Sequence, residues 1–417
     1  MASMTSASIV GLGYVGFPVL IEALKHGIRV LGIDNSPENL KQRQAELRDL
    51  AAVGQWVLTS DASQITTTDY VVICVPTPLD AEGNPDYRHV LDVCQVVGPF
   101  LSKGQTVILE STVGPGTTTG VVRQTLEKFS GLEAGSDFHL AFSPERIDPN
   151  NQHFFLANTP KVVGALTQEC LEKALAFYSE IVQEVVPASG LLEAETAKLL
   201  ENMYRHLNIS FINEFSNACS VAGINFREVI RLASTKPFGF QVFLPGPGAG
   251  GHCVPVDPNY FQQFLRDKGI PPLKTIQLAN LINEEQPLVI ANRVNEVWNA
   301  LETQGARPLV LGLSYKANVG DFRESKQLQV LRSLMRMGHN PKFHDFYLTH
   351  GTRGNQDLPN DDSGWVSDEA LFFEIEQTPL IILLQSHQKY SEDYLADYGY
   401  KILNCTGQVI PGARWSM

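Results

Sequence analysis

Residues 8–16 read Ser-Ile-Val-Gly-Leu-Gly-Tyr-Val-Gly, and residues 28–34 read Ile-Arg-Val-Leu-Gly-Ile-Asp. The first stretch is a short apolar run that turns into the pattern Gly-x-Gly-x-x-Gly, and a helical pattern follows it over residues 17–26. The second stretch is an apolar run that ends in an acid. A strand, a glycine turn, a helix, a strand and a terminal acid, in this order, predict the start of a doubly wound α/β domain with a parallel sheet.

The three glycines of this turn indicate what the domain binds. Gly11 makes the tight turn, Gly13 lets the backbone approach a pyrophosphate, and Gly16 lets the helix pack on the strand. The free N–H groups and the dipole at the helix N-terminus attract that pyrophosphate. Asp34 follows Gly16 at close to the spacing of about 20 residues expected of a ribose-binding acid. We therefore expect a dinucleotide site that favours NAD over NADP, because a carboxylate repels a 2′-phosphate. A flavodoxin-like domain with a glycine turn is the alternative.

Further apolar runs continue the sheet, with helical patterns between them, over residues 70–75, 105–109, 138–142, 161–163 and 184–186. Polar residues follow three of these runs: Thr77, Thr112, and the pair Glu145 and Arg146. Because ligands bind at the carboxyl ends of parallel strands, we expect these side chains to line one cleft. Each of them alone could instead be a helix cap or a turn residue.

A long helical pattern over residues 191–222 carries Lys198 and Asn202. The two lie one turn apart, so their side chains point to the same side of the helix. This arrangement is typical of a helix that lines a cleft, whereas a lone lysine is more often a solvated surface residue.

Residues 246–258 read Gly-Pro-Gly-Ala-Gly-Gly-His-Cys-Val-Pro-Val-Asp-Pro. Cys253 follows the glycines directly, and Asp257 lies four residues further on. A cysteine on a glycine-rich turn with a polar partner nearby is how a thiolate nucleophile is presented to a carbonyl. A buried structural cysteine is the alternative, and we expect the neighbouring His252 to be mostly structural.

A second α/β unit is predicted from residue 307 onward, with strands and helices alternating. It has no Gly-x-Gly-x-x-Gly turn, so we expect it to bind something other than a dinucleotide. Lys316, at the carboxyl end of its first strand, suits a phosphate or sugar oxygen. The sequence thus predicts an α/β protein of two Rossmann-like, doubly wound parallel-sheet domains joined by a central helical region with a long helix. Its domains are expected over residues 1–188, 189–304 and 305–417.

Composition narrows the class of partner. The 417 residues carry a formal net charge of -13, which argues against a nucleic-acid or anionic-membrane partner. The six cysteines are scattered without a Cys-x-x-Cys pair, a pattern that fits a reducing cytosol and neither a disulfide framework nor a zinc site. No apolar stretch approaches the roughly 20 residues that span a bilayer. We therefore expect a cytoplasmic protein without a metal.

Seven motifs carry a resemblance to a known family: GLGYVG, CVPTP, ESTVGPGTT, SPER, KLLENMYR, GPGAGGHCVPVDP and LGLSYKANVGDFRES. With them, the sequence resembles the UDP-glucose/GDP-mannose dehydrogenase family over essentially its whole length. The resemblance implies a four-electron oxidation of the sugar 6-hydroxyl to a carboxylate, with two NAD molecules reduced. It also implies an N-terminal NAD domain, a central helical region that forms a homodimer, and a C-terminal UDP-binding domain.

The resemblance also implies catalytic roles. Cys253 would capture the aldehyde intermediate as a thiohemiacetal, and a second hydride transfer would leave a thioester. Lys198 and Asn202 would stabilise the oxyanion, an arrangement that agrees with a lysine and an amide donor on one helix face. Lys198 as the general base of the first step is an alternative that stays open.

Further roles follow from the same resemblance. Asp257 would assist proton transfer with a bound water, and Thr112 and Glu145 would order that water and help thioester hydrolysis. The residues expected to contact NAD are Gly11, Gly13, Tyr14, Val15, Gly16, Asp34, Thr77, Thr112 and Arg323. Those expected to contact the UDP-sugar are Glu145, Arg146, Lys198, Asn202, Phe243, Leu244, Gly248, Gly250, Tyr315 and Lys316.

The motifs also bear on the sugar. The sequence SPER, in place of the PEF of enzymes acting on UDP-glucose or GDP-mannose, resembles the N-acetylhexosamine members, as does the run ASTKPFGFQVFLPGPGAGGHCVPVDP. UDP-N-acetylglucosamine is therefore the favoured substrate, and UDP-glucose is the alternative. A catalytically silent NAD and UDP-sugar binding protein is a rival of another class. The joint presence of Cys253, Lys198, Asn202 and Asp257 argues against it.

Overall fold

The computed structural model describes residues 5–49, 54–148, 151, 153–251, 253–301, 303, 305–348, 364–390, 395, 397–408 and 413–416. His252 lies outside them. The chain forms two units, of which the first contains Met1–Glu201 and Val256–Pro271 and the second contains Asn202–Pro255 and Pro272–Met417. The predicted division into three domains stays a prediction.

The first unit contains an eight-stranded sheet in its described part. In chain order its strands are β1 (Ser6–Val10), β2 (Arg29–Ile33), β3 (Trp56–Thr59), β4 (Tyr70–Ile73), β5 (Thr106–Leu109), β6 (His139–Phe142), β7 (Lys161–Ala165) and β8 (Val185–Pro187). Their order across the sheet is β3-β2-β1-β4-β5-β6-β7-β8. Neighbouring strands run parallel, except that β6 and β7 are antiparallel. The order reverses between β1 and β4, which places the topological switch point beside the glycine turn.

Helices follow most of the strands. They are α1 (Gly16–Lys25), α2 (Pro37–Asp49), α3 (Arg88–Val97), α4 (Arg123–Ser130), α5 (Gln168–Ile181), α6 (Leu191–Val221), α7 (Phe226–Ala233), α8 (Asp257–Asp267), α9 (Lys274–Asn299), α10 (Lys326–Arg336) and α11 (Asp368–Gln377). The boundary between the two units falls within α6. None of the helices in the described ranges is long and apolar enough to cross a membrane.

Strand β1 shows why helices cover both faces of the first sheet. Its residues are all buried, and successive side chains point to opposite faces. Ile9 belongs to an apolar cluster with Phe17 of α1 and Phe177 of α5. Val10 belongs to a second cluster, with Val90 of α3. A strand buried on both faces is a continuous apolar run, which is the pattern that predicts a doubly wound sheet.

The second unit contains a smaller parallel sheet. Its described strands are β9 (Leu309–Leu311), β10 (Lys342–His344), β11 (Ile381–Leu383), β12 (Ile402–Asn404) and β13 (Trp415–Ser416), in the order β10-β9-β11-β12-β13. The four neighbouring pairs are all parallel. The predicted fold class, two Rossmann-like parallel-sheet domains with a central helical region, is confirmed. Strands β3 and β13, and the antiparallel pairing of β7 with β6, were not predicted from the sequence.

Candidate active site

The glycines of the turn between β1 and α1 have two different roles, close packing of the chain and open space beside the backbone. Gly11 has a φ of +92°, and a Cβ there would lie 2.3 Å from the carbonyl oxygen of Cys74. A Cβ at Gly16 would lie 1.9 Å from the carbonyl oxygen of Gly11. Both glycines are therefore required by the packing of the chain itself. A Cβ at Gly13, in contrast, would meet no described atom within 4 Å, so the turn leaves open space at the position where we expect a pyrophosphate.

Asp34, at the end of β2, is fixed against this turn. Its Oδ2 accepts hydrogen bonds from the backbone N–H of Leu12 at 2.9 Å and from the side-chain amide of Asn39 at 2.8 Å. Its Oδ1 accepts one from the N–H of Ser36 at 2.9 Å. The carboxylate is thus oriented beside the glycine turn, as a ribose-binding acid must be. The turn residue Tyr14 is 56% exposed, which leaves its ring accessible to a ligand.

Thr77 and Thr112 both follow strands of the same sheet and are half-buried. The Thr77 carbonyl oxygen accepts a hydrogen bond from the Tyr260 hydroxyl of α8 at 2.6 Å. Thr112 follows Ser111, whose hydroxyl accepts from the N–H of Val75 at 2.9 Å and donates to its carbonyl at 2.8 Å. The two loops that carry the threonines are therefore tied to each other at the carboxyl edge of β4 and β5.

The structure brings Glu145 and Lys198 together. The Lys198 ammonium donates to the Glu145 carbonyl oxygen at 2.6 Å and lies 3.7 Å from Oε2 of its carboxylate. Both side chains are largely buried, with 7% of Lys198 and 12% of Glu145 exposed. Burial raises the pKa of Glu145, and the ammonium groups of Lys198 and Lys161 act against that rise without cancelling it. A carboxylate whose pKa is raised in this way is suited to take up a proton.

Arg146 is held by α6 as well. Its guanidinium forms an ion pair with Glu201, one turn after Lys198 on the helix, and donates to the carbonyl of Pro160 at 2.9 Å. The Nε of Arg146 is buried and has no hydrogen-bond partner in the described part of the chain. Glu201 was not identified from the sequence. Its position one turn after Lys198 on the predicted helix could have indicated that it lies on the same face.

A buried acid of α6, Glu195, was also missed. Its carboxylate accepts from the N–H of Gly116 at 2.6 Å and from the N–H of Thr118 at 2.9 Å. It therefore holds the glycine-rich loop that follows Thr112. Burial raises the pKa of Glu195, although these hydrogen bonds oppose the rise.

A buried cluster of polar and charged side chains lies beside the carboxyl end of β5. Glu110, directly after β5, pairs with Lys161 at 2.8 Å and accepts from the Tyr178 hydroxyl at 2.5 Å. Glu110 and Lys161 are 0% and 3% exposed. Burial, followed by the negative charge of Glu110, raises the pKa of Tyr178 well above its usual value, so the phenol keeps its proton. The cluster fixes the residue that precedes Ser111 and Thr112.

In the second unit, the glycine loop of residues 246–251 packs on Tyr315. A Cβ at Gly251 would lie 2.5 Å from the Tyr315 ring, and a Cβ at Gly250 would lie 2.8 Å from the carbonyl of Glu324. Gly248 has a φ of +120°. Gly250 and Gly251 are required because only residues without a side chain can approach Tyr315 this closely, and Gly248 because its φ is one that other residues rarely adopt.

Side-chain amides from two helices fix the same loop. Asn213 of α6 accepts from the N–H of Gly246 at 2.8 Å, and Gln286 of α9 donates to the carbonyl of Gly246 at 3.0 Å. Asn283 of α9 bonds both the N–H and the carbonyl of Ala249, at 2.6 and 3.1 Å. The loop that precedes Cys253 is therefore rigid. The Cys253 side chain is exposed, unlike the five other cysteines, all of which are buried free thiols.

The remaining predicted site residues are placed as follows. Asn202 is buried on α6, and Asp257 is buried as the first residue of α8. Arg323 pairs with Asp321 at 2.6 Å. The carbonyl of Lys316 accepts from the Ser314 hydroxyl at 2.9 Å.

The segment before the glycine loop borders a small cavity. The Phe243 ring lies edge-on to Tyr204 at 6.0 Å, and Leu244 is half-exposed. A cavity of about 150 Å³ is lined by Leu244 and Pro245 together with Phe226, Arg227, Ile230, Arg231, Thr406 and Gly407. The arginines of α7 at this cavity were not identified from the sequence, where their helix resembles an ordinary amphipathic one.

The order of these parts along the chain matches one family of known proteins. Residues 5–182 match the NAD binding domain of the UDP-glucose/GDP-mannose dehydrogenase family, residues 192–285 its central domain, and residues 309–406 its UDP binding domain. The chain belongs to this family. It is an NAD-dependent UDP-sugar dehydrogenase, and the family resemblance stated from the sequence motifs is confirmed.

Relatives within the family carry several names. The chain is 35% identical to Protein CapL of Staphylococcus aureus over 349 residues, which cover 81% of each chain. It is 33% identical to the UDP-N-acetyl-D-glucosamine 6-dehydrogenase of Pseudomonas aeruginosa over 342 residues, 78% of this chain and 79% of that one.

Solved structures of the family have the same fold. The UDP-D-ManNAc dehydrogenase of Pyrococcus horikoshii superposes with a TM-score of 0.83 at 26% identity, covering 99% of this chain and 98% of that one. A UDP-glucose dehydrogenase from Pyrobaculum islandicum superposes with a TM-score of 0.84 at 26% identity, covering 100% and 96%. The names of these relatives include three different sugars, so likeness alone does not fix the sugar of this enzyme.

Proposed function

We propose that this dehydrogenase oxidises the 6-hydroxyl of a UDP-N-acetylhexosamine, UDP-N-acetylglucosamine above all, to the 6-carboxylate. The observation that carries the proposal is the buried contact between Lys198 and Glu145. Glu145 belongs to the sequence SPER, which resembles the N-acetylhexosamine members of the family. This contact places an acid with a raised pKa and a positive charge beside each other at the carboxyl edge of the NAD-binding sheet.

The proposed reaction has two oxidations. NAD, when held by the glycine turn and Asp34, would supply the hydride acceptor for both, and the alcohol and then the thiohemiacetal would each lose one hydride and one proton. Between them, the thiolate of Cys253 adds to the aldehyde carbon and forms a C–S bond. Water then breaks that bond in the resulting thioester, which releases the carboxylate and restores the thiol. The exposed thiol at the end of a rigid glycine loop supports this role for Cys253.

The other proposed roles follow from charge and protonation. Lys198, with Asn202 on the same helix, stabilises the negative oxygen that develops when the thiolate or water adds to the carbonyl. Glu145 and Thr112 orient the hydrolytic water, and Glu145 accepts its proton because burial raises its pKa. Asp257 assists proton transfer in the first oxidation, for which Lys198 is the alternative base.

NAD contacts are proposed for the glycine turn and the residues around it. The open space at Gly13 supports the pyrophosphate position, and the fixed carboxylate of Asp34 supports the ribose position. Tyr14, Val15, Thr77, Thr112 and Arg323 complete the proposed set. UDP-sugar contacts are proposed for Arg146, for Phe243 and Leu244, for Gly248 and Gly250 of the glycine loop, and for Tyr315 and Lys316.

The choice of sugar rests on the sequence motifs and on one relative. SPER and the run before Cys253 favour an N-acetyl sugar, and the relative from Pseudomonas aeruginosa is named for UDP-N-acetyl-D-glucosamine. UDP-glucose is the second candidate, which the structural likeness to the Pyrobaculum islandicum enzyme favours.

We also propose a homodimer in which exposed apolar side chains of the central helices meet a second copy. Tyr204, Phe211 and Phe215 of α6 are 48%, 54% and 44% exposed and recur at helical spacing. Leu278 and Leu281 of α9 are more than half exposed. Two such helical stripes are larger than the scattered apolar residues that a monomer normally exposes.

The test is a substrate panel that follows NADH absorbance. UDP-glucose, UDP-N-acetylglucosamine and its galacto and manno isomers are compared by kcat/KM, with NAD in excess. We expect the N-acetylgluco sugar to give the highest value. A preference for UDP-glucose would refute the substrate assignment, and the absence of NADH with all four sugars would refute the proposed activity.

A further inference from the structure

Asp345, directly after β10, is a buried carboxylate that contacts the loop following β9. Asp345 is 1% exposed and accepts four hydrogen bonds. The donors to its Oδ2 are the N–H groups of Leu313 and Ser314, at 2.7 and 3.0 Å, and Nε2 of His387 at 3.0 Å. The N–H of Tyr347 donates to Oδ1 at 2.8 Å. Burial alone would raise the pKa of Asp345, but the hydrogen bond from His387 and those from the backbone hold it below its usual value.

The hydrogen bonds of His387 determine its tautomer. Its Nδ1 lies 2.8 Å from the backbone N–H of Asn318. Because a backbone N–H can only donate, Nδ1 must be the acceptor and carries no proton. Nε2 then carries the proton and donates it to Asp345. The neutral ring therefore links a buried carboxylate to the backbone of residue 318, and the whole His387 side chain is buried.

The loop of residues 314–318 is held at three further points. Asn318 has a φ of +60°, a left-handed conformation that costs little for asparagine but still needs support. Its side-chain oxygen accepts from the N–H of Gln388 at 3.0 Å. Gln385 donates to the carbonyl of Tyr315 at 3.2 Å, and the Ser314 hydroxyl closes the loop onto residue 316.

This loop carries Tyr315 and Lys316, which the proposed function assigns to the UDP-sugar. The Tyr315 ring also forms the surface on which Gly250 and Gly251 pack. Any movement of the loop would therefore displace both Lys316, a cation proposed to bind the substrate, and Tyr315, on which the glycine loop packs.

We propose that Asp345 and His387 form a positioning pair that fixes the loop of residues 314–318 for binding the UDP moiety. The inference rests on the proposed substrate contacts of Tyr315 and Lys316. Burying a charged group is costly, and a stable core could be built from apolar residues at lower cost. Here the pair instead bonds the backbone at both ends of one loop, Ser314 through Asp345 and Asn318 through His387, which is the arrangement of groups that fix the position of a segment.

Two substitutions separate the two hydrogen bonds of the ring. In His387→Asn the amide oxygen can take the place of Nδ1 and accept from Asn318, while the bond to Asp345 is lost. In His387→Gln the amide nitrogen can take the place of Nε2 and donate to Asp345, while the bond to Asn318 is lost. Both variants are neutral, and Asp345 keeps its three backbone donors in each.

The readouts are the Kd of UDP alone, KM for the best UDP-sugar, KM for NAD, and kcat. We expect His387→Gln to raise the Kd of UDP and KM for the sugar about three- to tenfold, the effect of one hydrogen bond. His387→Asn keeps the acceptor for Asn318 but loses the bond to Asp345 that orients it, so it should raise both by less, about twofold, and KM for NAD should not change in either. Equal effects of the two variants, or a normal UDP affinity in His387→Gln, would overturn the proposal.

The Kd of UDP needs no turnover. A wild type that oxidises none of the sugars would refute the proposed activity, and the positioning pair would still be decided by UDP binding. Should His387→Gln not fold, amide hydrogen exchange in the unmodified, nucleotide-free enzyme decides instead. We expect the N–H of Asn318 to be as protected as the strand β9, and rapid exchange there would overturn the proposal.

Discussion

Replacing Lys198 with methionine should slow the enzyme and move the acid limb of its pH profile upward. The ammonium lies 3.7 Å from Oε2 of Glu145. At an effective dielectric constant of about 20, that distance corresponds to an attraction of about 4 kcal/mol. One pKa unit corresponds to about 1.4 kcal/mol, and solvent and side-chain rearrangement reduce the effect. We therefore expect the pKa of Glu145 to rise further in the variant, because this attraction no longer stabilises the carboxylate.

The sign follows from the direction of the existing shift. Burial already raises the pKa of Glu145, and Lys198 opposes that rise. Without Lys198 the carboxylate is protonated over a wider pH range, so the proposed base of thioester hydrolysis is lost at a higher pH. The loss of one oxyanion donor should also lower kcat by about 10²–10³ at any pH.

The assay is kcat for NADH formation against pH, with Lys25→Met as the matched control. Lys25 is a surface lysine, 54% exposed, that pairs with Glu22 at 3.0 Å. An exposed pair contributes little, so this control should follow the wild-type profile. A Lys198→Met profile with the wild-type acid limb and a kcat within about twofold would refute the reasoning about Lys198 and Glu145.

Two further predictions use other parts of the chain. Gly13→Ala should keep the free energy of unfolding within about 0.5 kcal/mol, because a Cβ there meets no atom, and should raise KM for NAD by about tenfold or more. Gly16→Ala should lower that free energy by about 1–3 kcal/mol or more through overpacking. Urea unfolding and NAD titration of both variants check these two predictions. Equal free energies of unfolding for the two variants would contradict them. Phe211→Asp should turn the proposed homodimer into monomers in sedimentation velocity, whereas Phe129→Asp, at an exposed position of α4, should not; a dimeric Phe211→Asp would exclude this interface.

Local patterns were sufficient to predict the first βαβ unit. The strand, the glycine spacing and Asp34 all lie within 27 residues, from residue 8 to residue 34, and each constrains the next through backbone geometry. The apolar runs predicted most of the other strands because these are buried on both faces. Strand β3 was missed because it is a short edge strand of partly buried residues, and β13 because two residues carry no period.

Long-range contacts account for what the sequence analysis missed at the site. Glu110, Lys161 and Tyr178 come from a strand end, another strand and a helix, up to 68 residues apart. The spacing of these residues along the chain gives no sign that they meet. His387 and Asn318 are 69 residues apart and meet only because β9 and β11 are neighbours in the sheet. The helix α6, in contrast, made Lys198 predictable, since residues one turn apart share a face.

The central claim is that Cys253 carries the covalent intermediate between two oxidations. The most direct test is the amount of NADH and of uronate formed per UDP-sugar consumed, measured at completion for the wild type and for Cys253→Ala. We expect about two NADH and one uronate for the wild type. For the variant we expect no uronate and at most one NADH, with the Kd of NAD and UDP unchanged. Formation of uronate and two NADH by Cys253→Ala at the wild-type rate would exclude Cys253 as the carrier of the intermediate.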